Sequence, residues 1–449
     1  DGFRSTPELS FAVRDQRAGA GIVISASHNP PSDNGFKAYN SSGGQVIPEE
    51  GDLIIAEVKK VKEIKKIDYE QALSSGKIQI LGPDVDERYY QAVINESVSN
   101  FRSATIVYSP IHGAGQMSTL PVLEKAGFDI EEVKEQMVPD GNFPNVADHI
   151  PNPEVLSAND LARDLLVETG RDLALTNDPD ADRLAALVKT ADGPVFLNGN
   201  QIATLVTYYV FSTLEEQGNL PKNGFLARTI VTTPLLDQVA KKYNLKIYND
   251  LLVGFKYIGE LIRQKQDLGD ELFLLGGEES FGMLKGSYVR DKDGAVAALM
   301  LAEFASKLKD QGKTLVDALD DAYRAYGYYS EHLSATFFEG MDGALKKNKL
   351  MESLRDNSPD ELAGFRIRKT SSQVQDSGGS FIVKYEFEGM EAELFIRPSG
   401  TEPKVKFYVL LRDQRAQNQE ADLIRIKQEV DSLATKIDQA IHQLVMERV

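Results

Sequence analysis

The chain has 449 residues, of which 42% are hydrophobic and 26% are charged, and its formal net charge at pH 7 is −18. The length predicts about three or four domains with sizeable cores. The acidic balance argues against a nucleic-acid groove or an anionic membrane surface as the main partner, although a local phosphate site can still be basic. With no cysteine, disulfides, zinc-thiolate sites and cysteine nucleophiles are excluded.

The features that bear on location favour the cytoplasm. The absence of cysteine fits a reducing compartment. No stretch approaches the roughly 20 apolar residues of a membrane span, and the first residues lack the pattern of a signal peptide. We therefore expect a cytoplasmic protein whose partner is neither a membrane, nor a nucleic acid, nor an obligate protein chain.

Short apolar runs alternate with longer amphipathic stretches along most of the chain, which is typical of α/β domains. Thr6-Pro7 predicts the N-cap and first turn of a helix that ends near Arg17. The strand Ile22-Val23-Ile24 then leads into a polar loop over residues 25–35. Further helices are predicted over residues 52–66 and within residues 83–100.

The middle of the chain continues this alternation. A strand over residues 105–108 ends in a loop that contains His112, and a strand over residues 173–175 leads into an acidic run. Later strands are predicted over residues 225–230, 245–248 and 272–275. After about Tyr328 the pattern changes to strand-like pieces followed by one long helix from about Glu420, which predicts an α+β domain.

The first chemically suggestive loop is Ser25-Ala26-Ser27-His28-Asn29-Pro30-Pro31. It follows an apolar strand, the place where α/β sheets put ligand sites. A serine there can be a nucleophile, but activation needs a base within hydrogen-bond reach, and adjacent side chains seldom face each other. The alternative is a polar turn punctuated by Asn29-Pro30.

The second is the run Asn177-Asp178-Pro179-Asp180-Ala181-Asp182-Arg183. Three carboxylates so close together repel one another unless a cation neutralises them. An EF-hand fails here, because the sixth position is Arg183 rather than glycine and the twelfth is Lys189 rather than glutamate. Few carboxylates with open positions favour magnesium shared with a phosphate. The alternative is a solvated acidic turn.

Two later loops carry weaker signals. Gly276 to Gly282 includes Glu278 and Ser280, which can accept from and donate to sugar hydroxyls, or it is simply a glycine-flanked turn. Arg397 to Pro403 offers an arginine, two hydroxyls and a glycine as a phosphate cradle, although the arginine could instead form a structural ion pair. Individually, Lys37, Lys292 and His112 are weaker candidates.

Together and in this order, the four loops resemble the α-D-phosphohexomutase family, and within it the phosphoglucomutase branch. Ser25 to Pro30 is similar to the family's serine loop, Asp178 to Arg183 to its metal loop, Gly277 to Gly282 to its sugar loop, and Arg397 to Thr401 to its phosphate loop. One such motif is weak evidence, but four in register across nearly the whole chain form a specific match.

The resemblance implies an α/β fold of three successive α/β domains with mixed sheets plus a C-terminal α+β domain, around a central cleft to which each domain gives one loop. The expected domains are a partial first domain with the phosphoserine loop, a metal-binding domain, a sugar-recognition domain and a C-terminal phosphate-binding domain. Their expected ranges are 1–98, 99–197, 198–330 and 331–449.

The resemblance also assigns residues to roles. The implied catalytic residues are Ser27, which becomes phosphorylated, together with His28, Lys37 and Arg183. The implied magnesium ligands are Asp178, Asp180, Asp182 and an oxygen on Ser27. The implied substrate contacts are Glu278, Ser280, Lys292, Arg397, Ser399, Gly400, Thr401 and His112.

The implied activity is interconversion of glucose 1-phosphate and glucose 6-phosphate, with Mg²⁺ as cofactor and glucose 1,6-bisphosphate as activator and intermediate. The Glu-Glu-Ser-Phe form of the sugar loop resembles that of the glucose-preferring branch. Alternatives are a phosphomannomutase or phosphopentomutase, a metal-dependent sugar phosphatase, or an inactive fragment that only binds. Because members of the family normally have on the order of a hundred residues before the serine, we expect the sequence to be N-terminally truncated.

Overall fold

The computed structural model describes residues 2–340, 342–375, 380–400 and 402–448. Its backbone divides into two compact units. The first contains Asp1–Thr232 and Val239–Ala318, and the second contains Thr233–Gln238 and Leu319–Val449.

The helices of the described residues are numbered in chain order. They are α1 Thr6–Asp15, α2 Pro48–Lys60, α3 Tyr69–Ser74, α4 Pro83–Ile94, α5 Thr119–Ala126, α6 Lys134–Met137, α7 Asp160–Thr169, α8 Gly199–Glu216, α9 Leu235–Lys242, α10 Phe255–Ile262, α11 Gly294–Lys309, α12 Leu315–Tyr326, α13 Gly343–Asp356 and α14 Leu423–Arg448. Among these described helices, none combines the length and the apolar character that crossing a membrane requires.

The strands are numbered in the same way. They are β1 Ala20–Ile24, β2 Phe36–Asn40, β3 Thr105–Ser109, β4 Asp129–Glu132, β5 Leu173–Asn177, β6 Leu184–Thr190, β7 Gly193–Leu197, β8 Gly224–Thr229, β9 Lys246–Leu251, β10 Leu272–Gly277, β11 Met283–Lys285, β12 Tyr328–Phe337, β13 Glu361–Leu362, β14 Phe365–Val374, β15 Phe381–Phe387, β16 Glu391–Pro398 and β17 Lys404–Asp413.

The first sheet of the larger unit has two strands. β1 and β2 pair antiparallel, with Ile24 opposite Phe36. Their apolar side chains are only partly covered: Ile22 is 57% exposed. Helix α1 begins beside this sheet, and Ser5 rather than Thr6 is its N-cap, because the Ser5 hydroxyl accepts from the Glu8 N–H.

The second sheet, in the order β4-β3-β5-β6-β7, is mixed. The strands β4, β3 and β5 are parallel, while β6 and β7 run antiparallel to their neighbours. Every residue of β5 is buried. Val107 and Ala174 from the strands and Leu166 from α7 form one core cluster, with the helix packed on the sheet.

The third sheet has the order β11-β10-β8-β9 and is also mixed. β10, β8 and β9 are parallel, and β11 turns back antiparallel to β10. Helix α11 is buried along nearly its whole length, and the Asp293 side chain caps its N-terminus by accepting from the Ala295 N–H.

The smaller unit contains a six-stranded antiparallel sheet in the order β12-β17-β16-β15-β14-β13. The long helix α14 presents buried residues such as Ile426, Val430 and Ile437 at helical spacing. Its Asp431 accepts hydrogen bonds from Tyr328 and Ser330 of β12. The predicted fold class is thus confirmed: α/β regions with mixed sheets precede an α+β domain.

Candidate active site

The serine loop connects β1 to β2 and carries Ser27 in a left-handed conformation, with a φ of 55°. The Ser27 N–H donates to Ser25 Oγ at 2.8 Å, and the Ser25 N–H donates to the Gly35 carbonyl at 3.0 Å. Ser27 Oγ lies 3.2 Å from His28 Nδ1. The expectation that neighbouring side chains seldom meet is therefore wrong at this strained position.

The acidic loop connects β5 to β6 and directs its carboxylates inward. Asp178 and Asp182 are each 0% exposed, and Asp180 is also buried. The backbone N–H groups of Asp182 and Arg183 both donate to Asp178 Oδ1 at 3.1 Å. The loop is thus folded around one of its own carboxylates, which fixes the direction of the others.

The serine loop and the first residues of β2 contact the acidic loop directly. Ser27 Oγ donates to Asp178 Oδ2 at 3.1 Å. Ser25 Oγ donates to Asp180 Oδ1, and Lys37 Nζ donates to Asp180 Oδ2 at 2.5 Å. Lys37 stands on β2, so both ends of the serine loop are tied to the same carboxylate.

A second ammonium group reaches the acidic loop from the segment that precedes α11. Lys292 Nζ lies 2.9 Å from Asp182 Oδ2, and Lys37 Nζ lies 3.7 Å from the same oxygen. The side chain of Lys292 passes directly over Gly282, where a Cβ atom would come within 2.3 Å of Lys292 Cδ. A side chain at position 282 would therefore force Lys292 to move from its observed path.

The charges in this cluster shift one another's ionisation. Burial and the neighbouring carboxylates of Asp182 and Asp180 raise the pKa of Asp178. Burial alone would also raise the pKa of Asp182, but Lys292, Lys37 and Arg183 outweigh burial and lower the pKa of Asp182. Burial of the two amines lowers their pKa values, but nearby carboxylates, Asp182 foremost, outweigh burial and raise the pKa of Lys37 and the pKa of Lys292. Both amines are therefore protonated at neutral pH.

His28 is held in its neutral form. The loss of hydration around its half-buried ring, and next the positive charge of Arg183, lower the pKa of His28 to about 2. A neutral imidazole 3.2 Å from Ser27 Oγ can exchange a hydrogen bond with that hydroxyl in either direction, depending on its tautomer.

Arg183 is the last residue of the acidic loop, and His112 lies on a loop that contacts it. The Arg183 guanidinium is paired with Glu154, and its Nε lies 4.0 Å from Asp182 Oδ1. His112 Nδ1 lies 2.8 Å from the Val138 carbonyl oxygen, while its buried Nε2 has no hydrogen-bond partner among the described residues. Two residues further on, the Ala114 N–H donates to the Pro179 carbonyl at 2.8 Å, which ties the His112 loop to the acidic loop.

The predicted sugar loop is a tight turn between β10 and β11. The Glu278 N–H donates to the Gly282 carbonyl at 2.8 Å, and the Leu184 N–H donates to the Phe281 carbonyl at 3.0 Å, next to the acidic loop. Glu278 is buried and Ser280 is half-buried. Burial raises the pKa of Glu278 to about 7, although Lys292 opposes this rise.

The predicted phosphate loop lies in the smaller unit, between β16 and β17. Ser399 Oγ accepts from the Glu402 N–H at 3.2 Å, and the Arg397 Nε–H donates to Gln375 at 3.2 Å. Gly400 is exposed, and Thr401 lies outside the described residues. Lys347 Nζ donates to the Ser399 carbonyl at 2.8 Å and so places a further cation at this loop.

The predicted magnesium site can be checked by asking whether three or more potential ligand side chains lie close enough together to bind one ion. Among residues 2–340, 342–375, 380–400 and 402–448, no group of three or more His, Asp or Glu side chains has the spacing to hold a metal ion. Here ammonium groups contact Asp180 and Asp182. Asp182 Oδ1 nevertheless is buried and receives no hydrogen bond from any described residue. The donor chemistry, oxygen ligands with one unpaired acceptor, is therefore the kind that Mg²⁺ prefers, whereas the spacing of the carboxylates is that of a site held by ammonium groups.

Sequence reasoning missed two residues of the larger unit, Ser25 and Tyr39, and one residue at the phosphate loop of the smaller unit, Lys347. The sequence assigns Ser25 to the serine loop without a role of its own, although its position two residues before Ser27 is a usable signal. Lys347 approaches the phosphate loop from α13 and gave no local signal. Tyr39, two residues beyond Lys37 on β2, donates to Asp291 at 2.7 Å, a contact between residues too distant in sequence to be anticipated.

Fold and site together define a multidomain α/β protein whose candidate site is built from loops at strand ends. Three family models match the chain: phosphoglucomutase/phosphomannomutase α/β/α domain I over residues 1–65, domain II over residues 87–193 and domain III over residues 198–326. A phosphoglucomutase of Staphylococcus saprophyticus is 34% identical over 450 residues, covering 94% of this chain and 80% of the relative. The chain belongs to the phosphoglucomutase/phosphomannomutase family, which confirms the resemblance to phosphohexomutases of the phosphoglucomutase branch.

Solved structures share the fold. The open form of the Paramecium phosphoglucomutase pp63/parafusin superposes with a TM-score of 0.67 at 20% identity, covering 97% of this chain and 82% of that one. The Aspergillus fumigatus N-acetylphosphoglucosamine mutase, solved in complex with GlcNAc-6P and magnesium, superposes with a TM-score of 0.53 at 14% identity, covering 97% of this chain and 92% of that one.

Proposed function

We propose that this chain interconverts glucose 1-phosphate and glucose 6-phosphate through a phosphoserine at Ser27 and a glucose 1,6-bisphosphate intermediate. One observation carries the proposal: Ser27 Oγ donates to Asp178 Oδ2 at 3.1 Å, inside a cluster of carboxylates and ammonium groups. Phosphoryl transfer depends mainly on positioning and on offsetting charge, and this cluster supplies both. The 34% identity with a relative named phosphoglucomutase supports the same activity.

The proposed reaction has two mirrored halves. In the first, the free hydroxyl of the sugar attacks the phosphorus of phosphorylated Ser27, so that an O–P bond forms to the sugar and the P–Oγ bond breaks. The hydroxyl proton is lost and Ser27 Oγ gains one. After the bisphosphate turns end for end, Ser27 Oγ attacks the phosphorus of the other phosphate and loses that proton. The bond from this phosphorus to the sugar oxygen breaks as the P–Oγ bond forms, and the sugar oxygen gains a proton. The phosphoserine is thereby regenerated and the sugar monophosphate is released.

The residues around Ser27 fit this exchange. Lys37 and Lys292 are protonated, so they offset the negative charge that a phosphoserine adds. His28 and Asp178 both contact Oγ and are the groups within reach of its proton. Arg183, the last residue of the acidic loop, is held in position by its ion pair with Glu154.

Magnesium would be held by Asp178, Asp180 and Asp182 together with an oxygen on Ser27. A bound Mg²⁺ would supply additional positive charge next to the phosphoryl group. The magnesium named for the solved Aspergillus mutase of the same fold supports this assignment. Asp182 Oδ1, which receives no hydrogen bond from the described residues, is the acceptor left available for it.

Substrate recognition is assigned to two loops. Glu278 and Ser280 would bind sugar hydroxyls, with Lys292 and His112 at the edge of the same site. Arg397, Ser399, Gly400 and Thr401 would bind the phosphate that does not react. The GlcNAc-6P bound by the Aspergillus mutase supports a phosphosugar as the ligand class.

The test is conversion of glucose 1-phosphate to glucose 6-phosphate, coupled to glucose 6-phosphate dehydrogenase, with Mg²⁺ and catalytic glucose 1,6-bisphosphate. Ser27→Ala should lower kcat by at least about a thousandfold, because the nucleophile is removed. The matched control is Ser32→Ala in the same loop, where the lost hydroxyl only contacts the exposed Asp33. This variant should keep wild-type activity.

Intact-mass spectrometry gives an independent readout. Incubation with glucose 1,6-bisphosphate should add one phosphoryl group to the wild-type chain and to Ser32→Ala but not to Ser27→Ala. A parallel assay with mannose 1-phosphate tests sugar preference, and the proposal expects the glucose ester to be converted faster. A wild-type chain that is inactive on both esters, or that only hydrolyses the bisphosphate, would overturn the proposal.

A further inference from the structure

The segment that carries Lys292 is held by side chains from the beginning of the chain. The Arg290 N–H donates to Ser10 Oγ at 2.9 Å. Tyr39 OH donates to Asp291 Oδ2 at 2.7 Å, and Tyr89 OH donates to Asp293 Oδ2 at 2.8 Å. Three hydroxyl groups from α1, β2 and α4 thus contact three of the four residues from 290 to 293.

Tyr39 links this segment to the serine loop. It lies two residues beyond Lys37 on β2, so the two side chains project from the same face of the strand. One of them contacts Asp180 and the other contacts Asp291. A single strand therefore sets the position of one lysine directly and of the second through a carboxylate.

Asp291 connects Tyr39 to Lys292. Its Oδ1 accepts from the Lys292 N–H at 2.9 Å and lies 3.7 Å from Lys292 Nζ. Asp291 and Asp182 therefore compete for the same ammonium group, which in the structure lies nearer to Asp182, at 2.9 Å. The hydroxyl of Tyr39 satisfies the other oxygen of Asp291.

Because Tyr39 and Asp291 are buried, the position of Lys292 depends on the hydrogen bond between them. Tyr39 and Asp291 are each only 1% exposed, so water cannot replace a lost hydroxyl donor. A buried carboxylate that loses a donor turns to the nearest cation, because an unsatisfied charged acceptor is costly. The nearest cation is Lys292, and its movement toward Asp291 would take it away from Asp182.

We propose that Tyr39 is a positioning residue that keeps Lys292 on Asp182 by satisfying Asp291. This inference rests on the proposed function, since it concerns how that site is arranged. Tyr39 acts through Asp291 and Lys292 and does not itself contact Asp178, Asp180 or Asp182 through any hydrogen bond within the described part of the chain.

The first test is a double-mutant cycle on mutase activity with Tyr39→Phe and Lys292→Met. Tyr39→Phe should lower kcat/KM by about 10- to 100-fold, as expected for losing a hydrogen bond to a charged group. In the Lys292→Met background the same change should have no further effect, because its target is gone. Equal losses in both backgrounds, or no loss in the wild-type background, would overturn the inference.

The matched control is Tyr209→Phe. Tyr209 is also a buried tyrosine that donates to a carboxylate, Glu303, at 3.1 Å, but it lies on α8 and its hydroxyl is bonded to Glu303 and Ser99. Both variants should lower the thermal midpoint, and only Tyr39→Phe should lower kcat/KM. An equal loss of kcat/KM in both would show that any buried hydroxyl matters and would overturn the inference.

A second readout needs no catalysis. The reactivity of the Lys292 amine toward an acylating reagent can be followed by peptide mass spectrometry, with the exposed Lys60 as internal standard. Tyr39→Phe should change the labelling rate of Lys292, and Tyr209→Phe should leave it as in the wild type. Identical rates in all three proteins would overturn the inference. Because labelling is independent of turnover, an inactive wild type would count against the proposed function alone.

Discussion

The serine loop and the acidic loop meet in one cluster, but the sheets that carry them differ in burial. β1 alternates between exposed and half-buried residues, and in the described part of the chain its one partner strand is β2. β5 lies in the middle of a five-stranded sheet and is buried at every position. The acidic loop is also closed internally, through the two N–H groups that donate to Asp178.

From this difference we infer that the acidic loop determines the conformation of the serine loop. The acidic loop takes its form from its own sheet, and its carboxylates then fix the serine loop from outside. Asp178 accepts a hydrogen bond from Ser27, and Asp180 accepts hydrogen bonds from both Ser25 and Lys37. We therefore expect damage to the buried sheet to reach the site, and equal damage on the exposed face of β1 to leave it intact.

The largest effect should follow a cavity beneath the acidic loop. Leu175 is 0% exposed and lies on β5, three residues before Asp178. Leu175→Ala should lower the free energy of unfolding by about 2–5 kcal/mol, through lost burial and the cavity left behind. Differential scanning calorimetry measures this as a lower midpoint of the first transition. A midpoint within error of the wild type would contradict the proposed rigidity of this sheet.

A somewhat smaller effect concerns Glu278, a buried carboxyl group near the same cluster. Its folded-state pKa is about 7, compared with 4.5 when unperturbed. Below about pH 4.5 the group is protonated in both folded and unfolded chains and costs nothing. Between about pH 4.5 and 7 the unfolded chain loses this proton first, so stability falls as pH rises. At about 1.4 kcal/mol per pKa unit, the full cost is on the order of 3 kcal/mol.

Glu278→Gln removes this titrating group, so the pH dependence of the wild type can be compared with that of the variant. The variant should gain thermal stability relative to the wild type as pH rises from about 4.5 to 7, and the difference should then level off. Subtracting the two midpoints at each pH cancels the groups that titrate in both proteins. A difference that stays constant with pH would show that burial does not raise the pKa of Glu278.

The next prediction tests whether the acidic loop shapes the serine loop. Ser25→Ala removes the hydroxyl that donates to Asp180 and accepts from the Ser27 N–H. A hydrogen bond to a charged group contributes about 1.5–3 kcal/mol, so kcat of the proposed reaction should fall by about 10- to 100-fold. Ser25→Thr keeps a hydroxyl and should retain more activity than Ser25→Ala. Equal activity in both variants would remove Ser25 from this role.

Much of the fold could be predicted because its signals are local. The apolar runs that became β3, β5 and β8 gave strands at the expected places, and the acidic run could be recognised from charge repulsion alone. The N-cap of α1 was misplaced by one residue, since Ser5 and Thr6 are both good caps and only the fold decides between them. Pairings between distant residues, such as Lys292 with Asp182 and Tyr39 with Asp291, have no local signature. They depend on how separate sheets pack.

The smallest effect should follow a truncation on the exposed face of β1. Ile22 is 57% exposed on β1, so Ile22→Ala removes little buried surface. Its free energy of unfolding should stay within about 0.5 kcal/mol of the wild type, and its mutase activity should not change, because the serine loop is held by Asp178 and Asp180 from the other side. Measured beside Leu175→Ala in the same calorimetric and activity assays, the pair compares similar truncations on the two sheets. A loss from Ile22→Ala as large as that from Leu175→Ala would show that the face of β1 is buried in solution, and the contrast between the two loops would not hold.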